Sequence, residues 1–391
     1  MKRIGLALML SFTFCVGVKA QKPSEYFFVD QVMTLVPESQ TRTSQGLADF
    51  VNSKFFTPRE KARAIFIWIT ANIRYDVDNM YRVVSYKDVN ELVNSALANR
   101  KGVCANYAEL FNKLAGLVGI KSYVINGYTR QNGVVDAIPH SWCAGKIDST
   151  WVFFDPTWGA GYVRDKRFVK KLNTSYFMIS PEQMIKSHMP FDPLWQFLNT
   201  PVSGSEFCEK KTETKSIGYF NFVDSLALYE QQTVYNRLVS SNRRIEKNGI
   251  MNKMVFDKIA QNKDEIEYID ANRTVDKYNL TVNAYNEGVR KLNRFVGYRN
   301  NQFTPILPDY EIRLMLDSAS YSLEFSRSNM AEIKNPEKSI ESAMAQMSKL
   351  LDDVFSHLKE QKIFLDKYLK TGKGSRKYLF VKYTWNKESE N

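Results

Sequence analysis

The sequence has few of the residues that cross-link small exported domains or bind metal ions. Its 391 residues include 4 cysteines and 3 histidines, and no Cys-x-x-Cys or His-x-x-x-His spacing occurs. Such spacings mark structural zinc sites, and a much higher density of cysteines marks a disulfide framework. The chain is therefore expected to rely on hydrophobic packing, for which 44% hydrophobic and 13% aromatic residues supply ample material.

Long apolar runs and basic tracts are missing as well. Downstream of residue 20 no segment reaches the roughly 18 apolar residues of a membrane helix, so we expect no integral membrane segment after signal cleavage. The formal net charge of +12 is spread thinly, without a Lys/Arg run that would indicate nucleic-acid binding. No glycine-rich phosphate loop occurs. Charged residues make up 25%, which together with the hydrophobic content excludes a disordered chain.

Residues 1–20 have the pattern of a secretory signal peptide. Two basic residues precede an apolar stretch over 4–16, and small residues allow cleavage after Ala20. Cys15 raises the question of lipidation, but the bulky Phe14 stands where a lipoprotein signal needs a small residue. We therefore expect an exported protein, periplasmic or secreted, that is not a lipoprotein.

Cleavage would leave three cysteines: Cys104, Cys143 and Cys208. An odd number in an exported protein suggests intermolecular pairing or a free reactive thiol. If Cys104 stays reactive, Cys143 and Cys208 are the pair that could form a bridge. The ordinary alternative, which we favour, is that both are free and pack as small hydrophobic residues.

The character of the chain changes near residue 215. Residues 21–215 mix short helices with short apolar runs, and a capping box at 57–60 predicts a helix start. A second helix is predicted over 105–118, and strands over 122–128, 140–147 and 151–155. Helices followed by antiparallel strands indicate an α+β domain.

Residues 216–391 are predicted to form an all-α antiparallel helical bundle. Apolar residues recur every seven positions, as in a coiled-coil seam, at Tyr268, Val275, Val282, Val289 and Val296. Prolines and Asn-Gly separate four predicted helices: 222–247, 251–302, 309–331 and 337–371. We interpret the apolar stripes as core packing, although such a bundle could also bind a protein partner.

Cys104 is the first candidate for chemistry, because it lies at the predicted start of the second helix. The unpaired N–H groups and the partial positive charge of a helix N-terminus stabilise a thiolate. Gly102 would let the chain turn into the helix, and the same N–H groups could bind an oxyanion. A small buried cysteine is the alternative interpretation.

His140 and Asp155 are candidates to complete a nucleophilic triad with Cys104. A two-residue turn at Asp148-Ser149 would pair His140 with Thr157 and place Asp155 diagonally on the same face of the sheet. A three-residue turn would reverse that relation unless a bulge restored it. A carboxylate beside the imidazole would fix its tautomer and leave the other nitrogen for the thiol.

Metal ligation is the competing interpretation of these residues. Cys104, His140 and Cys143 could in principle be zinc ligands. Residues three apart on a strand point to opposite faces, so His140 and Cys143 should not converge, and we expect no metal site. His188 is interpreted as a surface-loop histidine, with a place lining the cleft as the alternative, and His357 as part of a solvated helix face.

Three motifs give the region a family resemblance. Gly-x-Cys at the helix start, His-x-Trp on a strand and the Trp-x-x-x-Asp-Pro-Thr-Trp that follows occur in order within 101–119 and 139–162. Over about 55–165 the chain resembles the transglutaminase-like superfamily of papain-fold enzymes. Residues 73–76 and 190–196 resemble its exported bacterial branch, which is related to the kyphoscoliosis peptidases.

The resemblance implies a papain/transglutaminase-like domain in which the helix bearing the cysteine packs on an antiparallel sheet. It implies Cys104 as nucleophile, His140 as general base and Asp155 as the orienting acid, without a cofactor. The second oxyanion donor varies in this superfamily; Tyr75 is a candidate, and an ordinary core tyrosine is the alternative. No acidic loop with calcium-ligand spacing occurs.

These observations predict an exported cysteine acyl-transfer enzyme that acts on peptide or glutamine-type amides through a thioester. Water would resolve the thioester in a protease or amidase, and an amine would do so in a transglutaminase. The partner is then a protein or peptide substrate. The alternative is a catalytically silent scaffold or binding protein that uses its cleft and helical bundle.

Overall fold

The computed structural model describes residues 25–82, 87–208 and 218–380. The predicted signal peptide, with Cys15, lies outside these residues. The described chain forms two compact units, one ending at Ile259 and one beginning at Ala260. Across the described residues, none of the helices combines the length and apolar character that crossing a bilayer requires.

The first unit contains a helical and a β layer. Its helices are α1 (Phe27–Met33), α2 (Ser44–Lys54), α3 (Pro58–Asn72), α4 (Val89–Asn99), α5 (Cys104–Leu117), α6 (Pro156–Ala160), α7 (Pro181–Met184), α8 (Gly204–Cys208), α9 (Phe222–Gln231) and α10 (Val234–Asn248). Its strands are β1 (Arg74–Tyr75), β2 (Lys101–Gly102), β3 (Ser122–Gln131), β4 (Val134–Ile147), β5 (Thr150–Phe154), β6 (Gly161–Arg164), β7 (Arg167–Lys170), β8 (Phe177–Ile179) and β9 (His188–Pro190).

The main sheet has five strands in the order β8-β5-β4-β3-β9, and its pairs are antiparallel. Helix α5 packs on β3 and β4, and Phe111 of α5 lies 4.7 Å from Phe154 of β5, measured between ring centroids. The predicted α+β domain, with the cysteine-bearing helix on an antiparallel sheet, is confirmed.

Helix α3 begins where the capping box predicts. The Thr57 side chain accepts the Glu60 N–H at 3.2 Å, and the Glu60 carboxylate accepts the Thr57 N–H at 3.1 Å. Nine residues of α3 are buried, among them Arg63, whose guanidinium forms two 2.7 Å hydrogen bonds to Asp30. The satisfied N-terminus and the paired charge allow this helix to run through the core.

The turn between β4 and β5 decides the register on which the triad prediction depends. Asp148 and Ser149 have φ of 48° and 69°, the left-handed conformations of a two-residue hairpin turn. Ile147 therefore pairs with Thr150 and Cys143 with Phe154. In this register Asp155, directly after β5, lies on the same face of the sheet as His140.

Helices α9 and α10 belong to the first unit, although the sequence assigns them to the bundle that starts at 216. Leu226 of α9 is buried in the cluster that contains Trp142, and Arg244 of α10 forms hydrogen bonds of 2.8 and 2.7 Å to Asp192. The compact units thus divide along the chain after Ile259, because composition does not reveal which helices pack on the sheet; a domain boundary near 215 stays a prediction.

The second unit is helical, as predicted for this part of the chain. It contains most of α11 (Lys253–Asn300), together with α12 (Asp309–Ala331) and α13 (Lys338–Lys370). Its core includes Phe295, Leu323 and Leu358. The heptad is buried unevenly: Val289 and Val296 pack against this core, whereas Tyr268 and Val275 are 68% and 42% exposed. A continuous coiled-coil seam stays a prediction.

A substitution at Gly127 tests the contact between β3 and β9. A Cβ at Gly127 would lie 2.1 Å from the Met189 carbonyl oxygen and 2.7 Å from the Trp142 ring. We expect Gly127→Ala to lower the free energy of unfolding by about 1–3 kcal/mol, as overpacked cores do, in urea denaturation followed by circular dichroism. Gly116→Ala on α5 is the control, because nothing lies within 4 Å of its added Cβ, and it should raise stability by up to about 1 kcal/mol. Equal effects would contradict the close approach.

Candidate active site

Cys104 is the first residue of α5, one position earlier than the predicted helix start. The Asn106 side chain accepts the Val103 N–H at 3.0 Å and so closes the beginning of the helix. A Cβ at Gly102 would lie 2.5 Å from Asn106 Cβ. Gly102 is therefore needed for this close approach, rather than for the sharp turn that the sequence suggests, and it places the half-buried thiol at the helix N-terminus.

His140 lies on β4 and is buried beside Asp155, as predicted. His140 Nε2 and Asp155 Oδ2 are 2.8 Å apart, and Asp155 is fully buried. Burial lowers the pKa of His140, but the charge of Asp155 and the hydrogen bonds to Asp155 and Cys104 raise it to about 10. His140 is therefore a cation at neutral pH, with Nε2–H donated to Asp155.

The thiol of Cys104 is the other partner of His140. Burial raises the pKa of this thiol, but the hydrogen bond and positive charge of His140, helped by the Ser141 N–H, bring it below its usual value. Because Nε2 of His140 is occupied by Asp155, Nδ1 is the nitrogen left for sulfur. The opposite shifts of the two pKa values favour a thiolate–imidazolium pair.

Asp155 is held from four directions. Its Oδ1 accepts the N–H groups of Thr157 and Trp158 at 2.9 and 3.1 Å, which caps α6. Its Oδ2 lies 2.8 Å from His140 Nε2 and 3.1 Å from His188 Nε2. Burial raises the pKa of Asp155, but the charge of His140 and the hydrogen bonds of both histidines hold it well below its usual range. Asp155 is therefore a carboxylate across the neutral range.

His188 is not a surface-loop histidine, so that interpretation was wrong. It begins strand β9, is fully buried and bonds to Asp155. A three-residue strand is too short to show an alternating pattern, and this is why sequence reasoning missed it. The available signal was the run of apolar residues that follows it, of which Met189 and Phe191 are buried.

Tyr75 lies near Cys104, on strand β1. Strand β1 pairs in parallel with β2, which places Tyr75 opposite Gly102, two residues before Cys104. Its ring packs against Tyr107 and Phe168, with centroids 6.4 and 6.3 Å away. Burial, then the charges of Cys104 and Asp155, raise the pKa of Tyr75. Its hydroxyl therefore keeps its proton and can act as a donor.

A cleft of about 880 Å³ opens onto His140 and Tyr75. Its lining includes six aromatic residues, Tyr75, Tyr81, Trp158, Tyr162, Phe168 and Tyr176. It also includes three charged residues, Arg130, Asp136 and Lys171. The cleft therefore offers both aromatic rings and charged groups to a bound molecule.

Within the described part of the chain, His140, Asp155 and His188 also form a group with the composition of a metal site. The ligand atoms of His140, Asp155 and His188 all lie within 4.8 Å of one another, but they already share the hydrogen bonds given above. Cys143 points away, as predicted, and donates to the Ala108 carbonyl at 3.2 Å. None of Cys104, Cys143 and Cys208 forms a disulfide, so the Cys143–Cys208 bridge is absent.

Comparisons with known proteins show what this part of the chain is similar to. Residues 45–156 match the model of the transglutaminase-like superfamily. Over 181 residues the chain is 30% identical to the kyphoscoliosis peptidase of Homo sapiens. This alignment covers 43% of this chain and 27% of that protein. Over 205 residues the chain is 25% identical to hillarin of Drosophila melanogaster. This alignment covers 47% of this chain and 24% of that protein.

The chain thus spans about a quarter of the length of these curated relatives. A crystal structure described as that of a TGase aligns with a TM-score of 0.24 at 19% identity, covering 42% of this chain and 40% of that one.

Proposed function

We propose, from the match of residues 45–156 to the model of the transglutaminase-like superfamily, that the protein is a cysteine acyl-transfer enzyme acting on amides. Cys104 is the nucleophile, His140 the general acid and base, and Asp155 the group that orients His140. The observation that carries the proposal is the chain of hydrogen bonds from Cys104 through His140 to Asp155.

The acylation step follows from the charges in the site. The Cys104 thiolate attacks the amide carbonyl carbon and forms a C–S bond, while the carbonyl oxygen takes the negative charge. His140 then transfers its Nδ1 proton to the leaving nitrogen, the C–N bond breaks, and the amine departs. The acyl group remains on Cys104 as a thioester.

Deacylation reverses the roles. His140, now neutral, takes a proton from water or from an amine as that nucleophile attacks the thioester carbonyl. The C–S bond breaks and Cys104 leaves as a thiolate, which restores the ion pair. Water gives a carboxylic acid, as in a protease or amidase, and an amine gives a new amide, as in a transglutaminase.

The oxyanion needs donors on the side of the carbonyl opposite His140. The N–H group of Cys104, at the first position of α5, is one candidate donor, because a helix supplies no acceptor for its first N–H groups; the Asn106 N–H is already bonded to the Val103 carbonyl at 2.9 Å. Tyr75 can supply a second donor, because its hydroxyl stays protonated and it lines the cleft. The aromatic cleft supports a protein or peptide as the substrate class.

Trapping the thioester tests the proposal. The protein is mixed with 4-nitrophenyl acetate and its intact mass is followed by mass spectrometry, with peptide mapping of the acetylated residue. We expect one acetyl group on Cys104 that is lost faster when an alkylamine is added. Cys208→Ala is the control and should acylate normally, whereas Cys104→Ala should not. A silent scaffold would show no adduct on Cys104, and that result would contradict the proposal.

A further inference from the structure

The carboxylate of Asp155 is shared by two histidines, although the proposed chemistry uses only one of them. Oδ2 lies 2.8 Å from His140 Nε2 and 3.1 Å from His188 Nε2. Both histidines and Asp155 are buried. Burying a polar ring costs free energy that its hydrogen bonds must offset, so the presence of a second buried histidine at Asp155 calls for an explanation.

His188 sits in an aromatic enclosure that disfavours a second positive charge. Its ring centroid lies 4.6 Å from that of Trp158 and 5.1 Å from that of Trp142. Burial lowers the pKa of His188, and the positive charge of His140 lowers it further, while the hydrogen bond and charge of Asp155 raise it by less. His188 is therefore neutral at neutral pH.

Neutrality fixes the tautomer of His188. A neutral imidazole has one N–H, and Oδ2 of the Asp155 carboxylate can only accept, so the proton is on Nε2. Nδ1 then accepts the hydrogen bond from the Ser187 hydroxyl, whose oxygen is 2.8 Å away. Ser187 also lines the cleft, so the hydrogen-bonded chain runs from the cleft through Ser187 and His188 to Asp155.

We propose that His188 is a positioning residue, which acts through Asp155 by donating Nε2–H to Oδ2 and keeping the carboxylate ionised and aimed at His140. This inference rests on the proposed function, because it assigns a purpose to His188 in maintaining the Cys104–His140 pair. His188 touches neither the thiol nor the reacting carbonyl.

The physical effect follows from what Asp155 would lose. Without His188, one side of Oδ2 would face Trp142 and Trp158 in an apolar environment, and burial would raise the pKa of the carboxyl. A protonated Asp155 no longer stabilises the His140 cation, so the proton returns from His140 to the thiolate. The loss would appear on the acid side of the pH range.

The other titratable groups around His188 do not supply an alternative donor to Asp155. Asp136, on β4, is occupied by the side chains of Thr129 and Gln131. Tyr176 packs against His188 with ring centroids 6.2 Å apart, and its backbone carbonyl accepts the Asp155 N–H at 3.0 Å. His140 is itself the partner that Asp155 must hold.

The experiment measures the rate of alkylation of Cys104 by iodoacetamide between pH 4 and pH 9. All proteins carry Cys208→Ala, so that Cys104 and the buried Cys143 are the thiols left in the described chain. We expect His188→Phe to move the acid limb of the rate profile upward by about one pH unit or more. His188→Gln, whose amide can still donate near the position of Nε2, should restore most of the acid limb. His357→Gln, an exposed histidine on α13, is the matched control and should leave the profile unchanged.

A second measurement applies even if His188→Phe does not fold. Long-range proton–nitrogen spectra of the full-length protein should show His188 with its proton on Nε2 and an unprotonated Nδ1 at neutral pH. A doubly protonated ring or the Nδ1–H tautomer would overturn the inference. So would an unchanged acid limb in a folded but destabilised His188→Phe, since that describes a purely structural histidine.

Failure of the proposed function would look different. In that case Cys104 with the natural His188 would already titrate like a free thiol, near pH 8.5, and substitutions at His188 would have no acid limb to move. The Nε2–H bond to Asp155 would then be a packing feature, and the positioning role would be overturned together with the enzyme.

Discussion

Cys104→Ala and His140→Ala are each expected to reduce acyl transfer by a factor on the order of 10³ or more, since members of a nucleophilic triad act as a unit. Without sulfur no thioester can form, and without the imidazole the thiol keeps its proton and the leaving amine receives none. Hydrolysis of an amide peptide library and incorporation of an alkylamine measure the two possible outcomes.

The control for these variants is Cys208→Ala, which removes a thiol from α8 and should leave both activities unchanged. Thermal unfolding of Cys104→Ala should stay close to that of the natural protein, because the side chain is small and half-buried. If Cys104→Ala remained active at unchanged stability, Cys104 would not be the nucleophile.

Asp155→Asn is expected to reduce acyl transfer by about 10²- to 10⁴-fold, as loss of the orienting acid does in comparable triads. The Asn oxygen can still accept the Thr157 and Trp158 N–H groups, which points its NH₂ group at both histidines. Two N–H donors would then face one another at His140, so its ring must take the tautomer that protonates Nδ1 and leaves Nε2 to accept. The neutral ring then cannot accept the thiol proton.

The same substitution should change the pH dependence of stability. The pKa of His140 is raised from 6.5 to about 10 in the folded protein, so its contribution is fully present below about pH 6.5 and is lost as the pH rises toward 10. In Asp155→Asn the raised pKa disappears and that alkaline loss of stability should shrink. Urea denaturation at pH 6 and pH 9 measures the difference, with Cys104→Ala in both proteins so that the lowered pKa of the thiol does not offset the effect. If the free energy of unfolding changed equally with pH in the two proteins, the carboxylate would not be what holds His140 charged.

The sequence pointed to Cys104, His140 and Asp155 because each has a local signal. Cys104 lies two residues after Gly102 at a helix start, His140 lies two residues before Trp142 on β4, which begins earlier than predicted, at Val134, and Asp155 precedes Pro156. The relation between His140 and Asp155 depended on the length of the turn at 148–149. Both turn residues adopt left-handed conformations, which Asp tolerates and which a serine gives no reason to expect.

The features that the sequence did not predict are those set by long-range packing. His188 reaches Asp155 because β9 pairs with β3 through Gly127, a contact for which a three-residue strand carries no pattern. Helices α9 and α10 read as part of the bundle by composition, yet Leu226 and Arg244 join them to the sheet domain. The heptad predicts helix but not burial, as the exposed Tyr268 shows.

The most direct measurement is the pH dependence of Cys104 alkylation in the natural full-length protein, with the modified residue located by peptide mass spectrometry. An ionised Cys104 paired with His140 should react almost as fast at pH 6 as at pH 8.5. A free thiol with its ordinary pKa of about 8.5 would react more than about 100-fold more slowly at pH 6. A Cys104 profile with its midpoint near 8.5 would contradict the thiolate–imidazolium pair on which the proposed enzyme depends.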